Sequence, residues 1–202
     1  PTLYTRLSEY MELCHKHGMT TMLVTNGTLP KVIENLDTLP TQLYVSVDAP
    51  NKTVFDDICK PKWNQGAWEK FEQTIDLMPS LDTRTVCRHT LIKGKNMSLE
   101  HIREFAELDN RADPDYIEAK GYVHVGHSQE NLAASNMPSH EDIMAFSHEI
   151  APLTNRQVLD ESRPSRVALI GTEIIPIQVP EAEMYFPEDL GIAPPVKHLP
   201  VI

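Results

Sequence analysis

Two hydrophobic periods alternate along this chain, and they constrain its fold more than any other feature. Residues 42–48 alternate between apolar and polar side chains, as in a β-strand with one buried face. In residues 68–78 the apolar side chains instead recur every three or four positions, as on the buried side of a helix. Because the two patterns follow one another repeatedly, the sequence predicts parallel strands joined by helical crossovers.

The predicted elements extend this alternation along most of the chain. Predicted strands cover residues 20–25, 42–48, 84–92, 115–120 and 165–170, and predicted helices cover 3–17, 30–39, 51–59, 68–78 and the segments capped by Ser98 and Ser139. The first predicted element is a helix, so we expect a strand before it. The predicted fold class is therefore α/β, a partial (β/α) barrel with parallel strands whose N-terminal βα units are missing.

Two regions of different composition divide the chain. Residues 1–170 form the predicted barrel portion. Residues 171–202 lack any helical or strand period and contain several prolines, at positions 176, 180, 187, 194, 195 and 200. Such a segment cannot build a core of its own, so we predict an extended or partly disordered C-terminal arm.

Charge and cysteine content exclude several classes of protein. The net charge of −11 argues against a phosphate-binding surface over the whole chain, which leaves Lys93, Lys95, Arg163 and Arg166 as local basic contributors. Three widely spaced cysteines match neither a metal-ligand motif nor a disulfide framework, so we assign them structural roles and predict no metal ligands in the chain. A reducing cytoplasmic setting and no membrane association are expected.

Polar residues recur where the predicted strands end. The strand of residues 115–120 carries Glu118 and Lys120 on one face, although a strand between helices normally bears apolar residues on both faces. Taken alone, this pattern also fits an edge strand or a Glu118–Lys120 ion pair. Asn26, Ser46, Asp48, Arg88 and Arg166 lie at similar points of other strands. Because ligands bind at the carboxyl ends of parallel strands, we predict that these side chains converge on one polar site.

Several segments also resemble one known family. These are residues 1–4, 24–27, 44–49, 88–96, 117–122, 124–128 and 165–169. They resemble the radical SAM enzymes of wyosine biosynthesis over about residues 1–170. The segments after residue 88 are the more specific ones, since the Thr25-Asn26-Gly27 and Ser46-Val47-Asp48-Ala49 pieces occur in radical SAM proteins generally.

The resemblance implies a definite chemistry. Such enzymes bind S-adenosylmethionine and a [4Fe–4S] cluster, and a second iron–sulfur cluster is thought to help hold pyruvate. They join a two-carbon unit from pyruvate to N1-methylguanosine beside the anticodon of tRNA-Phe, which forms 4-demethylwyosine. An electron donor is required. The family's cluster-binding cysteines and a Gly-Glu pair are expected upstream of Pro1, so we expect this chain to be inactive alone.

The positions of the polar residues suggest their roles. We expect Asn26, Ser46 and Asp48 to contact S-adenosylmethionine and Arg88 to pair with its carboxylate. Lys120 is the candidate for engaging pyruvate, as a Schiff-base amine or as a counter-charge to the carboxylate, and Glu118 would orient it.

We expect His124, Ser128 and Arg166 on the side of the substrate, and simple loop hydrogen bonding is the alternative for His124 and Ser128. Two other readings of the whole chain stay open. One is a Schiff-base (β/α) barrel aldolase or lyase that uses Lys120 without a cluster. The other is a non-catalytic binding module with the barrel shape alone.

Overall fold

A single six-stranded sheet organises the molecule, in the order β1-β2-β3-β4-β6-β5. The computed structural model describes residues 1–61 and 65–183. The strands are β1 (Met22–Thr25), β2 (Gln42–Ser46), β3 (Arg84–Leu91), β4 (Tyr116–Gly121), β5 (Gln157–Ser162) and β6 (Val167–Gly171). Strands β1 to β4 are parallel neighbours in chain order, which confirms the predicted βα units.

Six α-helices accompany the strands in the described part of the chain. They are α1 (Leu7–Lys16), α2 (Pro30–Glu34), α3 (Lys52–Ile58), α4 (Ala67–Leu77), α5 (Leu99–Ala112) and α6 (His140–Leu153). Ser98 accepts a hydrogen bond from the amide of His101, and Ser139 forms the predicted capping box with Asp142. Helix α1 begins four residues later than predicted, because Leu3 and Tyr4 are exposed and gain no packing there.

The last two strands depart from the parallel pattern. Strand β6 pairs antiparallel with β4, and β5 pairs antiparallel with β6 along the sheet edge. The sequence predicted β6 within one or two residues, but it missed β5. Strand β5 contains polar residues, each of which is exposed or half-buried, because an edge strand needs no continuous apolar face.

The two faces of the sheet differ as the alternation predicts. Leu43, Val45, Ile117 and Ala119 face the helices and are at most 1% exposed. The other face carries rows of side chains in cross-strand register. One row contains Ser46, Arg88 and Glu118, and the next contains Thr90 and Lys120. This polar face is the concave side expected of an incomplete barrel.

A buried polar contact links β3 to helix α5 on the helix-covered side. His89 and Asp109 are both fully buried, and His89 Nε2 lies 3.0 Å from Asp109 Oδ1. The His89 ring stacks on Phe105 with a centroid distance of 4.5 Å. Burial first, and then Asp109, raise the pKa of the neighbouring Cys87 thiol well above its ordinary value. The His89–Asp109 pair therefore fixes β3 on its outer side, directly behind Arg88 and Thr90.

The described part of the C-terminal arm runs along the base of the sheet. The backbone of Ile175 receives a hydrogen bond from Arg84 Nη1 at 2.7 Å and donates one to the Tyr116 hydroxyl at 2.6 Å. Farther on, the amide of Glu183 donates to the carbonyl of Lys16 at the end of α1, at 2.8 Å. Residues 172–183 are thus extended and attached at both ends, while residues 184–202 of the predicted arm lie outside the described residues. The domain division near residue 170 stays a prediction.

Candidate active site

An ion pair between neighbouring strands forms the middle of the concave face. Arg88 Nε lies 2.8 Å from Glu118 Oε1, and the side chains are 24% and 13% exposed. The guanidinium also lies over the Tyr44 ring, 4.3 Å from its centroid. Glu118 is therefore paired with Arg88 rather than with Lys120, because Arg88 is its cross-strand partner while Lys120 lies two residues along the same strand.

Lys120 lines a cavity of about 250 Å³ beside this ion pair. Its lining includes Arg88 and Glu118 from the parallel strands, and it continues to Asp160, Glu161 and Ser162 on β5. Within the part of the chain that the structure describes, the Lys120 ammonium makes neither an ion pair nor a hydrogen bond. A half-buried amine with no internal partner is available to bind a ligand.

A second cavity of about 920 Å³ lies at the carboxyl ends of β1 and β2. Asn26, Ser46 and Asp48 line it together with apolar side chains of Leu29, Phe55 and Phe71. Asn26 Oδ1 accepts hydrogen bonds from the amide and the hydroxyl of Thr28, which holds the turn after β1 in place. The predicted single site is therefore divided between two adjoining cavities, with Ser46 and Arg88 in register between them.

The loop after β4 brings His124 and Ser128 together. The Tyr122 hydroxyl lies 3.1 Å from His124 Nδ1 and 2.9 Å from Ser128 Oγ. Both predicted residues thus take part in loop hydrogen bonding, and their role towards a substrate stays a prediction. Tyr122, which connects them and is 5% exposed, was not predicted as a site residue.

Arg166 lies at the same edge of the sheet because β6 is antiparallel to β4, which the sequence did not indicate. It precedes β6, which runs antiparallel to β4, so the start of β6 lies beside the end of β4. The Arg166 carbonyl accepts from the amide of Gly121 at 2.9 Å, and its Nη1 donates to the carbonyl of Pro138 at 3.0 Å. Arg166 also has a positive φ of 50°, an uncommon backbone conformation for this residue type.

The predicted local basic patch is largely neutralised. Lys93 pairs with Asp142 at 2.9 Å, Lys95 with Asp57 at 2.8 Å, and Arg163 with Glu141 at 2.6 Å. Three of the four cations therefore have an acidic partner, which weakens the case for a phosphate-binding surface made by them.

The cysteines lie apart from one another. Cys14 and Cys87 are buried, in agreement with the structural roles assigned to them, whereas Cys59 is an exposed residue at the end of α3. The Cys59 side chain lines the larger cavity, where neighbouring atoms partly shield the thiol from water although the residue as a whole is exposed. This desolvation, followed by Asp48 and Asp56, raises the pKa of the thiol to about 12. Within residues 1–61 and 65–183 there is no group of three or more His, Cys, Asp or Glu side chains that could hold a metal ion.

Comparison with known families shows the superfamily to which the chain belongs. Residues 1–108 match the radical SAM superfamily. The chain belongs to the radical SAM superfamily. Residues 111–172 match the family of wyosine base formation, so the two matches together cover the barrel portion and confirm the resemblance seen in the sequence.

Two curated relatives carry the same name. The chain is 42% identical over 174 residues to the S-adenosyl-L-methionine-dependent tRNA 4-demethylwyosine synthase of Pyrococcus horikoshii, covering 84% of the chain and 50% of the relative. The Methanocaldococcus jannaschii enzyme of that name is 40% identical, with 86% and 53% covered. The chain thus spans about half the length of these curated relatives.

Solved structures agree with the radical SAM fold. A structure of TYW1 with a lysine-pyruvate adduct bound has a TM-score of 0.75 at 37% identity, covering 85% of this chain and 53% of that one. An archaeal TYW1 crystal structure has a TM-score of 0.69 at 34% identity, with the same coverage. A domain of pyruvate-formate lyase-activating enzyme from Bacteroides vulgatus has a TM-score of 0.51 at 16% identity, covering 73% of this chain and 84% of that one, and supports the fold alone.

In this radical SAM chain, the carboxyl group of Asp48 reduces stability at neutral pH. Burial is the main cause that raises its pKa, and a hydrogen bond from Thr90 opposes the rise. The folded state holds the Asp48 proton more tightly than the unfolded state does. The free energy of unfolding therefore falls as the pH rises from the pKa of Asp48 in the unfolded chain to its higher pKa in the folded chain. We expect Asp48→Asn to raise the melting temperature at pH 7, with a gain that disappears below about pH 4, near the ordinary pKa of Asp.

Thermal unfolding of both proteins from pH 4 to pH 8 measures this effect. Asp56→Asn is the matched control, since Asp56 is an exposed carboxylate on α3. A melting temperature of Asp48→Asn that stays equal to that of the parent at every pH would contradict the assignment.

Proposed function

We propose that this chain forms the barrel half of an enzyme that makes 4-demethylwyosine in tRNA-Phe, from N1-methylguanosine and a two-carbon unit of pyruvate. The observation that carries the proposal is Lys120, an amine without an internal partner among the described residues, in a small cavity beside an ion pair. The relative solved with a lysine-pyruvate adduct supports a lysine in this role.

The larger cavity has the character expected for S-adenosylmethionine. Its volume of about 920 Å³ is in the range of cofactor pockets. Asn26, Ser46 and Asp48 offer polar groups along one side, and Phe55 and Phe71 offer apolar surface for the adenine. When bound, S-adenosylmethionine supplies the radical that activates the substrate. We propose that Asn26, Ser46 and Asp48 hold and orient it.

Arg88 can bind the carboxylate of S-adenosylmethionine and keep its ion pair with Glu118. A guanidinium has several N–H donors in a fixed plane, and Glu118 occupies only one side of it. We therefore keep Arg88 as the proposed partner of that carboxylate, shared with Glu118. The described residues offer no ligand set for an iron–sulfur cluster, so no step of the proposal passes through one.

Lys120 performs the first covalent step in this proposal. Its neutral amine attacks the keto carbon of pyruvate, the carbonyl oxygen leaves as water, and a carbon–nitrogen double bond links pyruvate to Nζ. The two amine hydrogens leave with the carbonyl oxygen as that water molecule, so the step releases no net proton, and the water departs through the open side of the cavity. Arg88 and Glu118 form one wall of the cavity in which this step would take place.

His124, Ser128 and Arg166 are proposed on the tRNA side of the site. They lie on the loop after β4 and at the start of β6, at the edge where the carboxyl ends of the parallel strands meet. The nucleoside beside the anticodon would enter from this edge. A separate electron donor and a cytoplasmic location complete the proposal. Each helix of the described residues is too short or too polar to span a lipid bilayer.

Reductive trapping tests the pyruvate part directly. The chain is incubated with isotope-labelled pyruvate and borohydride, which reduces an imine to a stable amine, and the modified peptide is mapped by mass spectrometry. We expect one adduct, on Lys120. Labelling spread over exposed lysines such as Lys31, or no labelling above a bovine serum albumin control, would overturn the assignment.

A further inference from the structure

A directed series of hydrogen bonds crosses the loop after β4. His124 Nδ1 lies 3.1 Å from the Tyr122 hydroxyl. The same hydroxyl lies 2.9 Å from Ser128 Oγ, and Ser128 Oγ lies 2.6 Å from the carbonyl oxygen of Val125. The Tyr122 and His124 rings meet edge to face, with centroids 6.3 Å apart. Tyr122 is buried at 5% exposure, so its hydroxyl depends on these neighbours for its hydrogen bonds.

The backbone carbonyl at the end of the series sets the direction of every bond. A carbonyl oxygen can only accept, so at 2.6 Å the hydrogen of Ser128 Oγ must point towards Val125. Ser128 then has no hydrogen left for Tyr122, and the Tyr122 hydroxyl must donate to it. Tyr122 in turn has no hydrogen left for His124, and the proton of that contact must come from His124 Nδ1.

We propose that Tyr122 is a positioning residue that holds His124 in the Nδ1–H tautomer. Neutral imidazole carries one proton, so Nε2 is left with a free lone pair. Within the described residues Nε2 has no hydrogen-bond partner. The ring therefore presents an acceptor at the carboxyl end of β4, four residues after Lys120.

This inference rests on the proposed function and adds a specificity to it. An acceptor nitrogen binds an N–H or O–H group of the substrate and disfavours a phosphate or carboxylate oxygen. N1-methylguanosine has such donors in its exocyclic amine and its ribose hydroxyls. His124 is thus assigned to the nucleoside, and the tRNA phosphates are assigned to other residues.

Nitrogen-15 NMR of the histidine rings tests the tautomer without any activity assay, because protonated and unprotonated ring nitrogens resonate far apart. We expect His124 in the parent chain to show a protonated Nδ1 and an unprotonated Nε2. Tyr122→Phe and Ser128→Ala should both move it towards the Nε2–H form, whereas Ser128→Thr, which keeps the hydroxyl, should preserve the parent spectrum. His127, which is fully exposed, is the internal control and should not respond.

Addition of N1-methylguanosine then tests the substrate assignment. We expect the His124 Nε2 resonance to shift in the parent chain and in Ser128→Thr, and to stay unchanged in Ser128→Ala. An Nε2–H tautomer in the parent chain overturns the proposal without needing any variant. An unchanged Nε2 resonance in the parent with the nucleoside overturns the assignment to the nucleoside. Pyruvate trapping at Lys120 is scored separately, so its failure would count against the proposed function and not against the tautomer.

Discussion

Lys120→Arg and Lys120→Ala should both incorporate no pyruvate under reductive trapping, a complete loss of the adduct. The arginine variant retains the positive charge but not a nucleophilic amine, because a guanidinium stays protonated in proteins. It therefore separates the two roles assigned to Lys120. If Lys120 acts only as a counter-charge to the pyruvate carboxylate, Lys120→Arg should keep substantial function.

The same two variants should lower formation of 4-demethylwyosine in an enzyme that contains this chain by at least about 10³-fold, as expected for loss of a covalent catalyst. Lys93→Ala is the matched control, since Lys93 is a surface lysine paired with Asp142. Product formation by Lys120→Ala close to that of the control would refute the role. Product that forms without S-adenosylmethionine would instead favour a Schiff-base aldolase.

Asp109→Ala should destabilise the fold by about 3–5 kcal/mol, the cost of removing one member of a buried pair and leaving the other unpaired. His89 and Asp109 are fully buried, and the carboxylate also interacts with the Cys87 thiol. Urea unfolding followed by circular dichroism measures the free energy of unfolding. Asp109→Asn should cost less, about 1–3 kcal/mol, because the amide keeps the shape and one acceptor oxygen.

Asp76→Ala is the control for this experiment, because Asp76 pairs with Arg111 of helix α5 but is 59% exposed in its side chain. It should cost no more than about 1 kcal/mol. An Asp109→Ala protein as stable as the Asp76→Ala protein would show that the buried pair contributes little. Because β3 carries Arg88 on its other face, a displaced β3 should also reduce pyruvate trapping at Lys120.

The strands of the parallel half could be predicted because each has one face against helices and one face in the concave interior. Leu43 and Val45 on one side and Ser46 on the other give β2 a clean period of two. Caps such as Ser98 and Ser139 are equally local, since a serine followed by an amphipathic helix defines where that helix begins.

The features that could not be predicted depend on contacts between distant residues. Strand β5 pairs at an edge through its backbone, so Asp160 and Glu161 showed no pattern that would place them beside Lys120. The Arg88–Glu118 pair needs the register of β3 on β4, which no period in the sequence reveals. Tyr122 was not singled out from the sequence, because only the hydroxyl contacts to His124 and Ser128 reveal its role.

The extended segment of residues 172–183 has a geometrical consequence for the opposite rim. Six strands that do not close into a ring form an arc, and this segment spans the base of that arc from Tyr116 to Lys16 like a chord. Because the segment is attached at Ile175 and Glu183, it limits how far the base of the arc can widen. We therefore expect that a longer segment would allow a larger separation between Asn26 and Lys120, and with it a larger distance between the two cavities.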